Sequence, residues 1–285
     1  MDLAKAKGVI IAILLAFNIF LLYNNLTYYK DRGVQKETIE NAVAILKVRG
    51  ITFDDCKIPT GTFKTRRLGY GNKKILNEAE IADKLLGVST ASKKDGSYEA
   101  EGKKLMFTGG SAFVYTDAKP SSKVNIKDRV EAGKFARKYL EKAGLLSGKY
   151  IIDATEQSRD GSVVVHFVEK YDNYLVFDNY CTVTLKNNGI TRLEYNKLQI
   201  TGFKSGSDQT QVAAYQVLLA NYQKGSGQVI TAIDIGYKYS ENEMTKGMET
   251  IELLPVWRVK LKGMGEDYLS AAYTEETDDS GAETN

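Results

Sequence analysis

The sequence predicts an α+β protein: an N-terminal transmembrane helix followed by a two-part ectodomain of helices packed on antiparallel meander sheets. Three observations carry that expectation. An uncharged apolar run occupies residues 8–23, several later segments place apolar residues at helical spacing, and short alternating runs rich in tyrosine lie between them.

The chain has 285 residues, 43% hydrophobic and 26% charged, enough to bury one large or two modest cores. Its 39 basic and 36 acidic residues leave a net charge of +3, too small a field to draw nucleic acid or an acidic substrate. Nucleic-acid binding is therefore not expected.

Residues 8–23 read GVIIAILLAFNIFLLY, and residues 24–29 extend the run without charge and end in two tyrosines that suit a headgroup layer. No small-x-small cleavage site and no lipobox cysteine follow, so the run reads as an uncleaved anchor in a single-pass protein of the cell membrane. Lys5 and Lys7 in a short leading stub favour a cytoplasmic N-terminus, with residues after about 30 outside. Gly8, Ala12 and Ala16 recur every four residues and form one stripe of small side chains along which a second helix packs closely. Asn18 is the strongly polar residue inside the span, where an amide gains from an interhelical hydrogen bond.

Beyond the anchor, Ile39, Ala42, Val43 and Leu46 predict a helix near 35–48, ended by Gly50, and residues 51–58 read as a strand. Asn77 with Glu80 forms a capping pattern ahead of Ile81, Leu85 and Leu86, and Gly87 stops that second helix. Strands at 98–101, 104–108 and 112–116 make a small meander, and residues 119–123, with Pro120 and two serines, read as a linker. A third helix near 127–143 carries Ala132, Phe135, Ala136, Tyr139 and Leu140 on one stripe. Asp160-Gly161 and Asn188-Gly189 then mark tight hairpins, joining strands 150–156 to 162–168 and 180–185 to 190–195. A fourth helix near 208–222 opens on Asp208 and Gln211, and strands at 229–239, 251–261 and 268–273 follow it.

The expected division is therefore an anchor at 1–30, a first α+β part at 31–120, a second part with two helix-then-meander units at 121–275, and a disordered acidic tail at 276–285.

Little in this pattern suggests catalysis. His166 is the only histidine and sits inside an apolar strand, sharing a face with Val164 and Val168, so no histidine-based nucleophile or zinc site is expected. Asp153, Glu156, Glu169 and Asp172 have no spacing that singles out an acid/base pair. Lys64, Arg66 and Arg67 form a small basic cluster that suits either a solvated strand end or an anionic surface. Gly69, Gly71, Gly109 and Gly110 do not build a phosphate-cradling loop, so no cofactor is expected. Cys56 and Cys181 are free to pair in an oxidising setting, while the alternation of Cys181 with Val183 and Leu185 equally suits a buried thiol. On the strand that holds Pro255, Trp257, Val259 and Leu261 alternate against Arg258, Lys260 and Lys262, which reads as a packed face backed by a solvated basic one.

Two stretches carry a family resemblance. Met1-Asp2-Leu3-Ala4-Lys5-Ala6-Lys7 running into Asn18-Ile19-Phe20-Leu21-Leu22-Tyr23, and Leu254-Pro255-Val256-Trp257-Arg258-Val259 followed by Tyr268 and Ala271, resemble the YycI family. The resemblance implies a non-enzymatic, membrane-anchored regulator that, with the companion YycH, associates with the sensor histidine kinase governing cell-wall metabolism in low-GC Gram-positive bacteria. The alternative is an extracytoplasmic binding module that captures wall fragments, peptide or a protease through a sheet edge or a tyrosine-lined groove.

Overall fold

The computed structural model describes residues 13–22, 34–61, 64–71, 76–87, 92–94, 96–109, 111–146, 149–205, 209–223, 227–239 and 250–272. Helix α1 covers 13–22 and α2 covers Lys36–Val48, followed by β1 (Thr52–Phe53), β2 (Lys64–Thr65) and β3 (Leu68–Gly71). Next come α3 (Glu78–Leu86), β4 (Ser92–Lys94), β5 (Ser97–Ala100), β6 (Lys103–Gly109), β7 (Ala112–Asp117) and α4 (Arg129–Lys142). Four strands, β8 (Lys149–Gln157), β9 (Val163–Tyr171), β10 (Tyr174–Lys186) and β11 (Gly189–Asn196), precede β12 (Gln199–Phe203) and β13 (Gln209–Thr210). The chain closes with α5 (Ala214–Asn221), β14 (Val229–Lys238), β15 (Thr250–Leu261) and β16 (Gly265–Ser270).

The predicted helices form where their caps are. Asn77 accepts from the Glu80 amide at the start of α3, and Gly87 ends it at φ 75°. Gly50 closes α2 at φ 84°, and the Ile51 amide reaches back to the Leu46 carbonyl. Helix α4 starts at a cap that the sequence reading did not name: Asp128 accepts from the Val130 and Glu131 amides at 2.8 and 3.1 Å. Asp128→Ala is expected to cost about 1 kcal/mol, read as a lowered thermal midpoint.

The fourth helix is shorter than predicted. It opens at Ala213, where the Gln216 side chain accepts from the Ala213 amide at 3.1 Å, rather than on the Asp208/Gln211 pattern. Asp208 lies outside the described residues. The strand expected at 51–58 is also reduced, to the two residues of β1.

The sheet is mixed rather than purely antiparallel. Both Asn-Gly and Asp-Gly hairpins form as predicted, but β1 and β10 each run parallel to β14. Two compact units interleave along the chain, and the stretch at 119–123 lies inside one of them, where the Ser122 amide donates to Asn188 O at 2.9 Å. Unit 1 comprises Met1–Lys64, Thr210–Ile233 and Val259–Asp267; unit 2 comprises Thr65–Gln209, Asp234–Arg258 and Tyr268–Asn285.

In unit 1, α2 buries Ala42 and Leu46, and α5 buries Ala214, Val217 and Leu218. Arg49, just past α2, donates to the Leu219 and Tyr222 carbonyls at 2.7 and 3.2 Å, satisfying the open end of α5.

In unit 2, α3 and α4 cover a core built from β6, β7, β9, β10 and β11, with Leu105, Phe113, Val165, Phe167, Val183 and Leu193 nearly inaccessible. A second, aromatic core gathers Tyr70, Val176, Tyr237 and Leu253 with Phe203 and Tyr174 packed against it. Strand order in the sheet is β12-β3-β15-β14-β10-β11-β7-β6-β5-β4, with β9 and then β8 joined to β10.

Candidate functional site

Three places hold the residues that the sequence reading singled out, or polar side chains that it missed. The first is α1. Every described residue from 13 to 22 is exposed, and its eight large apolar side chains are between 47% and 63% accessible. Ala16 and Asn18 lie on this helix, whereas Gly8 and Ala12 are outside the described residues. The Asn18 amide donates to the Leu14 carbonyl one turn earlier, at 3.0 Å, so its own helix already takes one of its hydrogen bonds. No helix among the described residues is long and apolar enough to cross a membrane.

The second place is the strand that holds Pro255, Trp257 and Arg258. Trp257 is buried as expected, at 1% accessibility, and the Pro255 carbonyl accepts from the Ala271 amide. Arg258 corrects the expectation of a solvated basic face, because it is only 3% accessible. Its Nη1 and Nη2 donate to the two oxygens of Asp153 at 2.8 and 2.7 Å, and Nη2 donates also to Asp234 at 2.7 Å. The β8–β9 register skips at Asp153, and such a bulge re-aims the side chain it carries. Burial alone would lower the Arg258 pKa, but hydrogen bonds and charge from Asp153 and then Asp234 hold it above its ordinary value. The guanidinium lies 4.6 Å from the centre of the Phe177 ring, and Phe177 meets Tyr268 edge-on at 5.1 Å. Lys238 sits 4.2 Å above Tyr268 and 3.6 Å from Asp178, whose pKa burial raises. Asp234 was the readable signal here, a carboxylate set between Ile233 and Ile235 in a strand.

The third place is a groove of about 520 Å³ in unit 2. Ile81 and Lys84 of α3 line one side, Gln199 and Ile200 of β12 another, and Glu169 and Lys197 pair at 3.7 Å between them. Fully buried Asn179 organises that pair: its Nδ2 donates to Glu169 at 2.5 Å, and its Oδ1 accepts from the Leu198 amide at 2.6 Å. No sequence pattern singled out Asn179; the only signal is that Asp178 and Asn179 together break the alternation of β10 between Leu175-Val176-Phe177 and Tyr180-Cys181. The β9–β10 register shifts between Val176 and Tyr180, which frees Asn179 to turn inward. Tyr195 adds a wall and donates to the Leu145 carbonyl at 3.2 Å.

The remaining candidates are spread out. His166 lies on β9 opposite Thr182, with Nδ1 3.0 Å from its hydroxyl. Cys56 and Cys181 are not joined in a disulfide; Cys181 is inaccessible, and burial pushes its pKa up, leaving a neutral small hydrophobe. Arg67 pairs with Glu252 at 3.0 Å, and Arg66 lies over the Phe203 ring at 5.6 Å. Asp172 occupies the β9–β10 turn at φ 54°. No group of histidine, cysteine and acidic residues able to hold a metal occurs among the described residues.

Helices laid on a large mixed sheet, with polar clusters built into its strands, define an α+β protein. The chain belongs to the YycI family: the family described as "YycI protein" matches residues 30–273. That span contains Pro255, Trp257 and Arg258 together with Tyr268 and Ala271, while the N-terminal part of the resemblance precedes it. Among solved structures, YycH from Bacillus subtilis is similar at a TM-score of 0.48 and 15% identity, over 74% of this chain and 53% of that one. The chain thus spans about half the length of that protein. The Bacillus megaterium YpeB C-terminal domain is similar at a TM-score of 0.40 and 10% identity, over 70% of this chain and 94% of that one. No curated protein matches the sequence.

Proposed function

We propose that this chain is a non-enzymatic, membrane-anchored regulator that modulates a cell-wall sensor histidine kinase together with a YycH-like partner. The observation that carries the reading is α1: eight large apolar side chains within ten residues, all exposed, are costly in water and suited to lipid. Membership of the YycI family supports a sensor kinase and a YycH-like companion as the partners. In this reading the N-terminus is cytoplasmic, residues after about 30 are extracytoplasmic, and the anchor packs beside other spans. Regulation then consists of contacts that differ between two kinase states, since a partner that binds both states equally shifts nothing.

The polar clusters support a non-catalytic role. Arg258 is committed to two carboxylates, and His166 is matched across the sheet by Thr182.

The test is crosslinking and co-purification from native membranes, comparing the unaltered chain with one carrying isoleucine at positions 8, 12 and 16. Recovery of a sensor kinase and a YycH-like protein, reduced at least tenfold in the altered chain, is the expected result. Equal recovery from both chains would remove the small-residue stripe from the contact, and recovery of neither partner would overturn the regulator reading.

A further inference from the structure

We infer that the groove in unit 2 receives an extended peptide segment, which adds a strand to the free edge of β12. Four strands end the sheet paths that reach unit 2 among the described residues: β4, β8, β12 and β16. Three of them carry charge in their sequence. Strand β4 reads Ser92-Lys93-Lys94, β8 carries exposed Lys149 and Glu156, and β16 carries exposed Glu266 beside Asp267; charge on an edge strand discourages a further strand from pairing.

Strand β12 has no such guard. Gln199-Ile200-Thr201-Gly202-Phe203 contains neither a charge nor a proline, and it pairs with β3 on one side. The row of backbone N–H and C=O groups along its other side is the chemistry that a second extended backbone satisfies. Gln199 and Ile200, the first residues of β12, line the groove, and Ile81 and Lys84 of α3 line it too, so the start of the strand and a helix bound one slot from which the rest of the edge continues. Its volume lies within the usual range for ligand sites, about 300–1,000 Å³.

Charge selects the occupant. Lys84 pairs with Glu80 at 2.7 Å and Lys197 with Glu169 at 3.7 Å, so the four charged residues along the groove sum to zero. A slot of that kind suits a peptide of neutral or mixed charge and gives an anionic polymer or lipid headgroup no net attraction. The inference concerns unit 2 and stands whether or not the anchor contacts a kinase.

Thr201 gives the handle for a test, because it is exposed and falls at the register shift between Ile200 and Gly202, outside the pairing with β3. A phage-displayed library of random decapeptides is panned against the full-length protein in nanodiscs, and the best peptide is titrated by fluorescence anisotropy. Thr201→Pro deletes a backbone donor, and Thr201→Lys keeps the donor but adds a charge to the edge. Expected are a selected peptide that slows amide exchange at 199–203 and at least a tenfold weaker affinity in either variant that keeps the native thermal midpoint. Failure to select any peptide, protection elsewhere in the chain, or unchanged affinity in Thr201→Lys overturns the inference. So does self-association of the unaltered protein through these same amides, which would make the edge a contact between copies.

Discussion

Replacing Arg258 with alanine is expected to lower the stability of the folded chain by about 3–5 kcal/mol, among the largest losses for any single charge deletion in this protein. The guanidinium binds Asp153 through two parallel hydrogen bonds and Asp234 through a third, and it is 3% accessible. Removing it takes the bidentate partner from Asp153, whose side chain is only 13% accessible, while Asp234, at 36%, keeps part of its contact with water. The cost is the desolvation of unpaired charge, so it should respond to charge rather than to volume. Arg258→Met fills most of the space and is expected to lose nearly as much. Arg258→Met combined with Asp153→Leu and Asp234→Leu should recover much of the loss, because a buried ion cluster is often no more stable than an apolar one of similar size. Urea unfolding of the full-length protein in detergent measures all three. A loss below about 1 kcal/mol in Arg258→Ala would show that water reaches the cluster and that the acids are solvated instead of paired.

How far the fold was legible in the sequence depended on how local each signal is. Helices α2, α3 and α4 and both Gly-marked hairpins are specified within a few residues of themselves, by Gly50, by Asn77 and Gly87, and by Asp160-Gly161 and Asn188-Gly189. Strands β3 and β12 were not anticipated. Leu68-Gly69-Tyr70-Gly71 looks like a loop because its glycines weaken any strand pattern, yet they are what the pairing requires. A Cβ on Gly69 would lie 2.7 Å from the Thr201 hydroxyl, so side chains of β12 rest on backbone that must stay bare. The partners are also remote, since β3 pairs with β12 and with β15, and no window of neighbouring residues contains either contact.

The same distance explains Arg258. Its alternation with Trp257 and Val259 correctly placed it on the opposite face of β15 from the packed residues. Whether that face met water depended on Asp153 and Asp234, 105 and 24 residues away. Of the groove, Glu169 was named as a carboxylate without a partner in view. Lys197 and Asn179 became its neighbours only once the shift in β10 was known.

Gly236→Ala is the second large loss expected, about 3 kcal/mol, and it reaches the Arg258 cluster by a steric route. Gly236 pairs with Leu175 in the parallel contact between β14 and β10. A Cβ at this position would sit 2.5 Å from the Leu175 carbonyl oxygen and 2.6 Å from the Phe177 ring. The carbonyl is backbone and cannot swing aside without parting β10 from β14, so that contact keeps its strain and only the share held by the ring can be relieved. Moving Phe177 takes away the aromatic face over Arg258 and its edge contact with Tyr268. Part of the cost is thus shared with the charge cluster, and the losses of Gly236→Ala and Arg258→Ala should sum to more than the double variant loses. Phe177→Leu in the Gly236→Ala background should recover part of the stability, because the smaller side chain vacates the volume that the methyl group needs. Additive losses in the double variant, or no recovery with leucine at 177, would place the strain in the strand pairing itself and disconnect it from the cluster around Arg258.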